Sequence, residues 1–396
     1  MFKLNPKDPK AVMPIVKYLL SLSGFRQDAE HLGRKILPNV FVYIVVLLIP
    51  KVFFPYPSRA SMIQGLAELI FFTNVDVGFF CLVLQHDHYR QLLNTIDTFI
   101  NIAYHSTNQK ESLPELLLMR LNRNIQKLSV IFCYYIVVTA IIYWTLPCML
   151  TYRSIFKART IGNASVTLIQ YYPNLEETFY WIDNRHTVFG YIVFSIVALV
   201  IFSFASYNNA TKVLTIVTTI KYCSTLLLLV SITIKDLNRT AAEDIDRELK
   251  KAVQMHQLAI RCFTLLNQTL SIVMALQLAL CTLTWCLTLL YVFTIGFDMI
   301  AMNGLLIMFN MTLEMFGYCF LCTELATTGT QIAHQSYQFR WEQHRPSTQK
   351  LVQMIINQGQ QPLSLTSWGF LAVNLELFAK VFKTSYSILV VLKDLI

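Results

Sequence analysis

Apolar residues in this chain come in long, nearly uninterrupted runs, at about Ile36 to Phe54, Leu66 to Gln85, Leu128 to Leu150, Val188 to Tyr207, Ser271 to Phe297, Met299 to Leu325 and Phe370 to Leu392. Each approaches the ~20 residues that an α-helix needs to cross a bilayer. No strand-like alternation accompanies them, and a chain in lipid must satisfy its own backbone hydrogen bonds, so the pattern predicts seven spanning helices rather than a barrel. Only a turn near Gly296 to Asp298 separates the fifth run from the sixth, which predicts a tight hairpin. An odd number of spans puts the two chain ends on opposite sides of the membrane.

The connections are unequal. Two long ones, His86 to Lys127 and Asn208 to Leu270, fall on one side, and a long loop, Thr151 to Thr187, falls on the other. Within the second connection Ile245, Leu249, Val253, His256, Ile260 and Phe263 recur every three or four residues, while Glu243, Asp244, Arg247, Lys250 and Lys251 fall largely elsewhere. That pattern predicts an amphipathic helix running straight into the fifth span. Tyr89 to Ile100 and Ser347 to Gln361 read the same way, so the three segments could pack as a helical bundle beyond the bilayer. Ala11 to Gly24 is interrupted by Lys17 and has no small-residue cleavage pattern, unlike a signal peptide.

The last run differs from the others. Pro362 ends the helix before it, because proline cannot continue a helix and disfavours helical geometry in its predecessor. Beyond a weakly polar turn through Ser364, Thr366 and Gly369, the run carries Glu376, Lys380 and Lys383. These lie at i, i+4 and i+7 and share one helical face. Charges on a spanning helix are costly in lipid, so this face should meet protein, water or a pore, such as a wet vestibule. Tyr386, Leu389, Leu392 and Lys393 share another stripe near the end. It suits lipid or bundle contact, or a pore lining in which Leu389 blocks ions by dewetting.

Composition supports the membrane reading. The 396 residues are 55% hydrophobic and only 14% charged, against ~25% charged in an ordinary globular domain. The net charge of +9 is spread between apolar runs with no basic block, which argues against nucleic acid. Most of the nine cysteines, including Cys81, Cys133, Cys281, Cys286, Cys319 and Cys322, lie in apolar runs and are read as buried thiols. Cys319 and Cys322 form a CxxC without a second pair or a nearby His, short of the four ligands of a structural zinc site.

Enzyme chemistry finds no support: there is no glycine-rich phosphate loop, nucleophile elbow or HExxH, and no cofactor or metal is expected. The densest ligand-like cluster, His86-Asp87-His88, sits where the second span ends and reads as a solvated helix end. Glu68, Asn74 and Asp76 in the second span, with Asn310, Thr312 and Glu314 in the sixth, serve either as interhelical glue or as the lining of a wet cavity. Aromatic residues are abundant, among them Phe71, Phe72, Phe79, Tyr134, Tyr135, Tyr143, Trp144, Tyr191, Phe194 and Phe309. They fit bundle packing and an interfacial belt, or the walls of a closed apolar pocket for a small volatile molecule.

The C-terminal stretch Tyr337 to Leu392 resembles the signature of insect odorant receptors. The matching residues are Trp341, then Pro346, Ser347, Gln349 and Lys350, the Gln360-Gln361-Pro362 break, Gly369-Phe370, Leu375 to Phe378, and the closing Thr384-Ser385-Tyr386-Ser387. The resemblance implies an all-α membrane protein of seven helices with a cytoplasmic N-terminus, the reverse of a G-protein-coupled receptor. Physical support for that orientation is confined to Arg34 and Lys35 before the first helix, partly offset by Lys51 beyond it. The implied organisation is a cytoplasmic segment 1–35 and a six-helix ligand-binding bundle 36–325, with inner extensions 86–127 and 208–270 and outer loop 151–187. An anchor region 326–366 and a pore-lining seventh helix 367–396 follow.

The family's ligand pocket lies toward the outer leaflet, which makes Phe71, Phe72, Asn74, Tyr143, Trp144, Tyr191, Phe194 and Phe309 the expected set for a small volatile, with aromatic or heterocyclic compounds favoured. The gate is expected at Tyr386, Leu389, Leu392 and Lys393, and the vestibule at Glu376, Lys380 and Lys383. The family's co-receptor carries a polar glutamine near the filter where this chain has Leu392. The resemblance therefore implies a tuning subunit that conducts only in a hetero-oligomer, taken as a tetramer, with that co-receptor in the dendritic plasma membrane of an olfactory neuron. The alternative is a G-protein-coupled receptor. Against it, Leu150-Thr151-Tyr152-Arg153 stands where a DRY-like triplet would follow the third span, and NPxxY is missing from the seventh.

Overall fold

The computed structural model describes residues 12–23, 36–104, 113–160, 171–241, 243–296 and 301–395. The chain is helical almost throughout. The helices are α1 (Pro14–Leu22), α2 (Ile36–Phe53), α3 (Arg59–Leu84), α4 (His86–Tyr104), α5 (Leu113–Thr160), α6 (Val188–Asp236), α7 (Ile245–Ile295), α8 (Ala301–Gln338), α9 (Pro346–Gly359) and α10 (Leu375–Leu395). Six of them, α2, α3 and α5 to α8, are long and apolar enough to cross a membrane. The seventh, α10, falls short by composition because Glu376, Lys380 and Lys383 interrupt it.

Helix length organises the fold. α5, α6 and α7 have 48, 49 and 51 residues, so at 1.5 Å per residue each is roughly 72–77 Å long. A hydrocarbon core is ~30 Å thick. More than half of each helix therefore projects beyond it, where the projecting parts join α4 and α9 in a distal bundle. The buried apolar residues of α6 there include Ile216, Ile220, Cys223, Leu226, Leu227 and Val230, flanked by Leu92, Ile96 and Phe99 of α4 and by Leu249, Ala252 and Ala259 of α7. The short helix α1 lies toward this end: Lys17 pairs with Asp97 of α4 at 3.4 Å, and the Tyr207 hydroxyl donates to the Leu19 carbonyl at 2.8 Å.

Between α9 and α10 the expected turn is a two-stranded hairpin. β1 (Thr366–Ser367) pairs antiparallel with β2 (Leu371–Ala372), with Thr366 opposite Ala372. Trp368 and Gly369 lie in its three-residue turn with φ of 53° and 83°, left-handed geometry that glycine adopts freely. The hairpin is tied to α7, since the Thr366 amide donates to Asn267 Oδ1 at 2.8 Å. The seventh helix consequently starts at Leu375 rather than Phe370, with Asn374 Oδ1 accepting from the Leu377 amide at 2.8 Å as its cap.

The opposite end is closed by a strap, residues 171–187, running across α2, α3, α5 and α6. Gly65 of α3 permits its close approach: a Cβ there would lie 2.7 Å from the Glu176 carbonyl oxygen. Leu175 and Glu177 of the strap are fully buried, while its Trp181 is 93% exposed.

Candidate functional site

Below the strap, α3, α5, α6 and α8 line a half-open cavity of about 60 Å³. Its walls are aromatic: Phe72 and Phe202 stack at 6.1 Å, Tyr143 meets Phe202 edge-on at 5.3 Å, and Phe71 meets Phe72 at 5.4 Å. Ile136, Ala140, Leu306 and Ile307 add to the apolar lining, and Thr139, Ser206, Asn209 and Asn310 supply polar groups. Ile136, Asn209 and Asn310 are shared with a groove of about 330 Å³ between α5, α6 and α8.

Of the sequence-derived ligand set, Phe71, Phe72 and Tyr143 line this cavity. The other five lie elsewhere. Asn74 is fully buried one step along α3, donating to Met311 Sδ at 3.3 Å. Trp144 lines a neighbouring groove of about 610 Å³ at the α5–α6 seam, with Val137, Leu199 and Ser203, and this groove shares Ile136, Ala140, Phe202 and Ser206 with the cavity. Tyr191 packs on Tyr171 under the strap, and Phe194 is sealed against Phe179 at 5.3 Å. Phe309 is 57% exposed on the outer face of α8 and cannot line an internal pocket. Phe202, Asn209 and Ile136 escaped the sequence reading because nothing in local periodicity tells which face of a lipid-clad helix turns inward.

Above the cavity lies a buried ionic cluster. Lys51 Nζ is 2.8 Å from Glu68 Oε2 and 3.6 Å from Glu177 Oε2, with all three side chains at most 1% exposed. The Tyr143 hydroxyl donates to Glu68 Oε1 at 3.0 Å, and the Glu176 amide donates to Glu68 Oε2 at 2.9 Å. Arg185 then holds Glu176 at 2.6 Å. One hydrogen-bonded chain thus runs from a cavity wall to the strap. Burial pushes the Glu177 carboxyl up to about 8, against the pull of the Lys51 ammonium. Lys51, expected as a solvent-facing charge beyond the first span, is instead the buried centre of this cluster.

A second cluster lies beside and below the cavity. Lys212 of α6, fully buried, places Nζ 2.7 Å from Glu314 Oε1 of α8 and 3.4 Å from both Gln277 Oε1 of α7 and the Asn74 carbonyl oxygen of α3. Tyr318 donates to the same carboxylate oxygen at 2.9 Å. Asn208, one turn before Lys212, donates to Asp76 Oδ1 at 2.6 Å and exchanges hydrogen bonds with Asn39. Lys212 therefore touches three other helices at once.

On α10 the charged residues Glu376, Lys380 and Lys383 are exposed and, among the described residues, form no ion pair. Ser387, Val390 and Val391 continue the same exposed stripe. Leu389 occupies the opposite face: it is 2% exposed and packs on Ile63, Leu290, Tyr291 and Ala301 of its own bundle. The sequence grouping of Tyr386 with Leu389 as one lining face is corrected accordingly, since Tyr386 is 61% exposed and Leu389 is a core residue. The side chains of Leu392 and Lys393 lie outside the described residues. Trp285 of α7 anchors α10 from behind, edge-on to Phe378 and Phe382.

Comparison with known proteins agrees with this architecture. The family model described as 7tm Odorant receptor matches residues 59–386. Odorant receptor 59b of Drosophila melanogaster is 21% identical over 160 residues, 40% of each chain. The solved olfactory receptor OR5 of Machilis hrabei, in complex with eugenol, superposes over 97% of this chain and 98% of its own with a TM-score of 0.75 at 15% identity. A second structure of the same receptor superposes over 96% of this chain and 97% of its own with a TM-score of 0.73 at 16% identity. With the matched region covering most of the sequence and the fold shared end to end, this chain belongs to the 7tm odorant receptor family, a multi-pass membrane family of receptors rather than enzymes.

Proposed function

We propose that this chain binds a small volatile odorant in the aromatic cavity and, with co-receptor subunits, gates a nonselective cation channel. The observation that carries the reading is the cavity itself, a half-open, mainly apolar pocket with few polar groups inside the membrane bundle. Binding there is driven by burial of apolar surface and by shape. A pocket that accepts a single benzene ring measures ~150 Å³, so a ring fits only when the cavity opens into the 330 Å³ groove beside it. A ligand that favours the wider arrangement shifts the equilibrium toward it by its differential affinity. The relative from Machilis hrabei holds eugenol, a molecule of this size and character.

The pore in this reading is lined by the exposed stripe of α10, with Glu376, Lys380 and Lys383 as its wet vestibule and Val390 and Val391 at its hydrophobic constriction. The strap faces outside and the distal bundle, with α1, faces the cytoplasm of an olfactory neuron's dendrite. A hetero-oligomer, taken as a tetramer with the co-receptor, completes the pore. Family membership and fold both speak against the G-protein-coupled alternative.

The test is whole-cell current from cells expressing the chain alone and with an insect odorant co-receptor, across a panel of volatiles with G-protein signalling blocked. Fast cation current is expected only on co-expression, with Phe202→Ala shifting potency about tenfold or more, the scale of a lost aromatic wall. A thiol reagent is expected to modify Ser387→Cys and alter current, and to leave Leu389→Cys untouched. Surface-expressed complex that gives no current, yet raises a G-protein messenger once the block is lifted, would overturn the proposal.

A further inference from the structure

The polar groups of the cavity are not equivalent, and their hydrogen-bond state defines a ligand class. The Tyr143 hydroxyl already donates to Glu68 at 3.0 Å, and the Thr139 hydroxyl donates to the Ile136 carbonyl at 2.9 Å. Asn310 is spent as well, donating to the Leu306 carbonyl at 2.8 Å and accepting from Tyr135. Ser206 is half-buried and faces the 610 Å³ groove as well, so Asn209 stands apart by its burial. The residue is 9% exposed and lines both the cavity and the 330 Å³ groove, and its Oδ1 is buried with no hydrogen-bond partner.

A buried carboxamide left unpaired is costly, and native interiors rarely tolerate one without a use. Its neighbour Asn208 shows the contrast, being fully committed to Asn39 and Asp76. From this juxtaposition we infer that Asn209 is the polar anchor of the odorant site and that the site selects small aromatic or aliphatic molecules carrying one hydroxyl group. The inference rests on the reading of the cavity as the odorant site. A hydroxyl both donates and accepts, so it satisfies the carboxamide whichever end turns toward it, whereas an ether or carbonyl satisfies only the amide N–H end. A hydrocarbon of the same shape leaves Asn209 as unpaired as before. The rest of the molecule occupies the aromatic box formed by Phe72, Tyr143 and Phe202.

The experiment uses the full receptor co-expressed with a co-receptor and two matched probe sets: 4-methylphenol, 4-methylanisole and p-xylene, and 1-hexanol, hexanal and heptane. In the native receptor the hydroxyl member of each set is expected to act at about tenfold lower concentration than its hydrocarbon, the scale of one buried hydrogen bond. Asn209→Leu is expected to erase that difference by raising the concentration at which the hydroxyl member acts by about tenfold. Asn209→Ser, a smaller change that keeps a hydroxyl partner, is expected to retain part of the preference and guards against a folding defect. If Phe202→Ala shifts potency but Asn209→Leu leaves the hydroxyl preference intact, the anchor assignment is wrong and the cavity stands. If neither substitution moves any response, or neither probe set acts on a correctly trafficked complex, the anchor and the cavity fall together.

Discussion

Lys51 and Lys212 are both fully buried and both face carboxylates, yet they do different work. Lys212 joins Glu314, Gln277 and the Asn74 carbonyl, all on helices that run through the centre of the bundle. Gly78 of α3 leaves room for its stem, with Lys212 Cδ 3.1 Å from where a Cβ would stand. Lys51 joins one helix to a loop, and it answers two carboxylates, Glu68 and Glu177, with a single positive charge. The first arrangement is a staple between rigid elements. The second is a latch, with a surplus carboxylate that holds its proton and a connection through Tyr143 to the cavity wall.

The sharpest way to break this comparison is to remove one partner of the staple. Lys212→Met leaves Glu314 buried and uncompensated, and breaking a buried pair in this way costs about 3–5 kcal/mol. The expected result is loss of surface receptor and a much lower melting temperature of the detergent-solubilised complex. Lys212→Met with Glu314→Met is expected to recover most of that loss, since apolar replacement of a whole pair is often neutral. Equal melting temperatures for the single and double variants would show that the pair is no staple.

The latch is tested by pH. A carboxyl raised to about 8 when the strap is closed takes up a proton that an open strap releases near the ordinary carboxylate range. Closure is therefore strongest below that range and weakens as pH rises toward 8 and through it. Hydrogen exchange of residues 171–187 is expected to be slower at pH 6.5 than at pH 8.5, after correction for intrinsic rates, by on the order of tenfold in protection. Glu177→Gln should flatten that dependence. Protection of the same size and slope in the variant would remove Glu177 from the latch.

A smaller effect separates the cavity wall from the outer surface. Tyr143→Phe deletes one hydrogen bond to Glu68 and is expected to cost about 1 kcal/mol, seen as a modest shift in odorant potency and in strap protection together. Phe309→Ala, on an exposed face, is expected to leave potency within about 0.5 kcal/mol of the native value. A large potency change at Phe309 with none at Tyr143 would reverse the assignment of inside and outside on these helices.

How much of this was legible varies from residue to residue. The amphipathic repeat from Ile245 to Phe263 announced a helix that runs unbroken into the next span, and the structure has it as α7. Pro362 announced the break before the last helix, but the hairpin at Trp368 and Gly369 depends on a contact with Asn267 that lies far away in sequence. Lys212 was hidden for a different reason. The polar run Asn208-Asn209 and Lys212 marks the end of an apolar stretch and reads as the start of a solvated connection. It is instead the middle of a helix clasped by three others, and polarity alone cannot distinguish water from a partner carboxylate. Leu389 and Val391 make the same point on α10: periodicity separates two faces of a helix but does not say which one its own bundle will cover.

By itself the sequence determined the solvent, the helical class, the approximate spans and the family, because each follows from local composition and spacing along one strand of chain. Only the tertiary structure decided which aromatic residues enclose the cavity, which charges are buried as a staple or a latch, and which face of α10 is left open. Those outcomes are set by contacts between helices distant in sequence. Lipid and protein are equally apolar neighbours, and only the packed fold tells them apart.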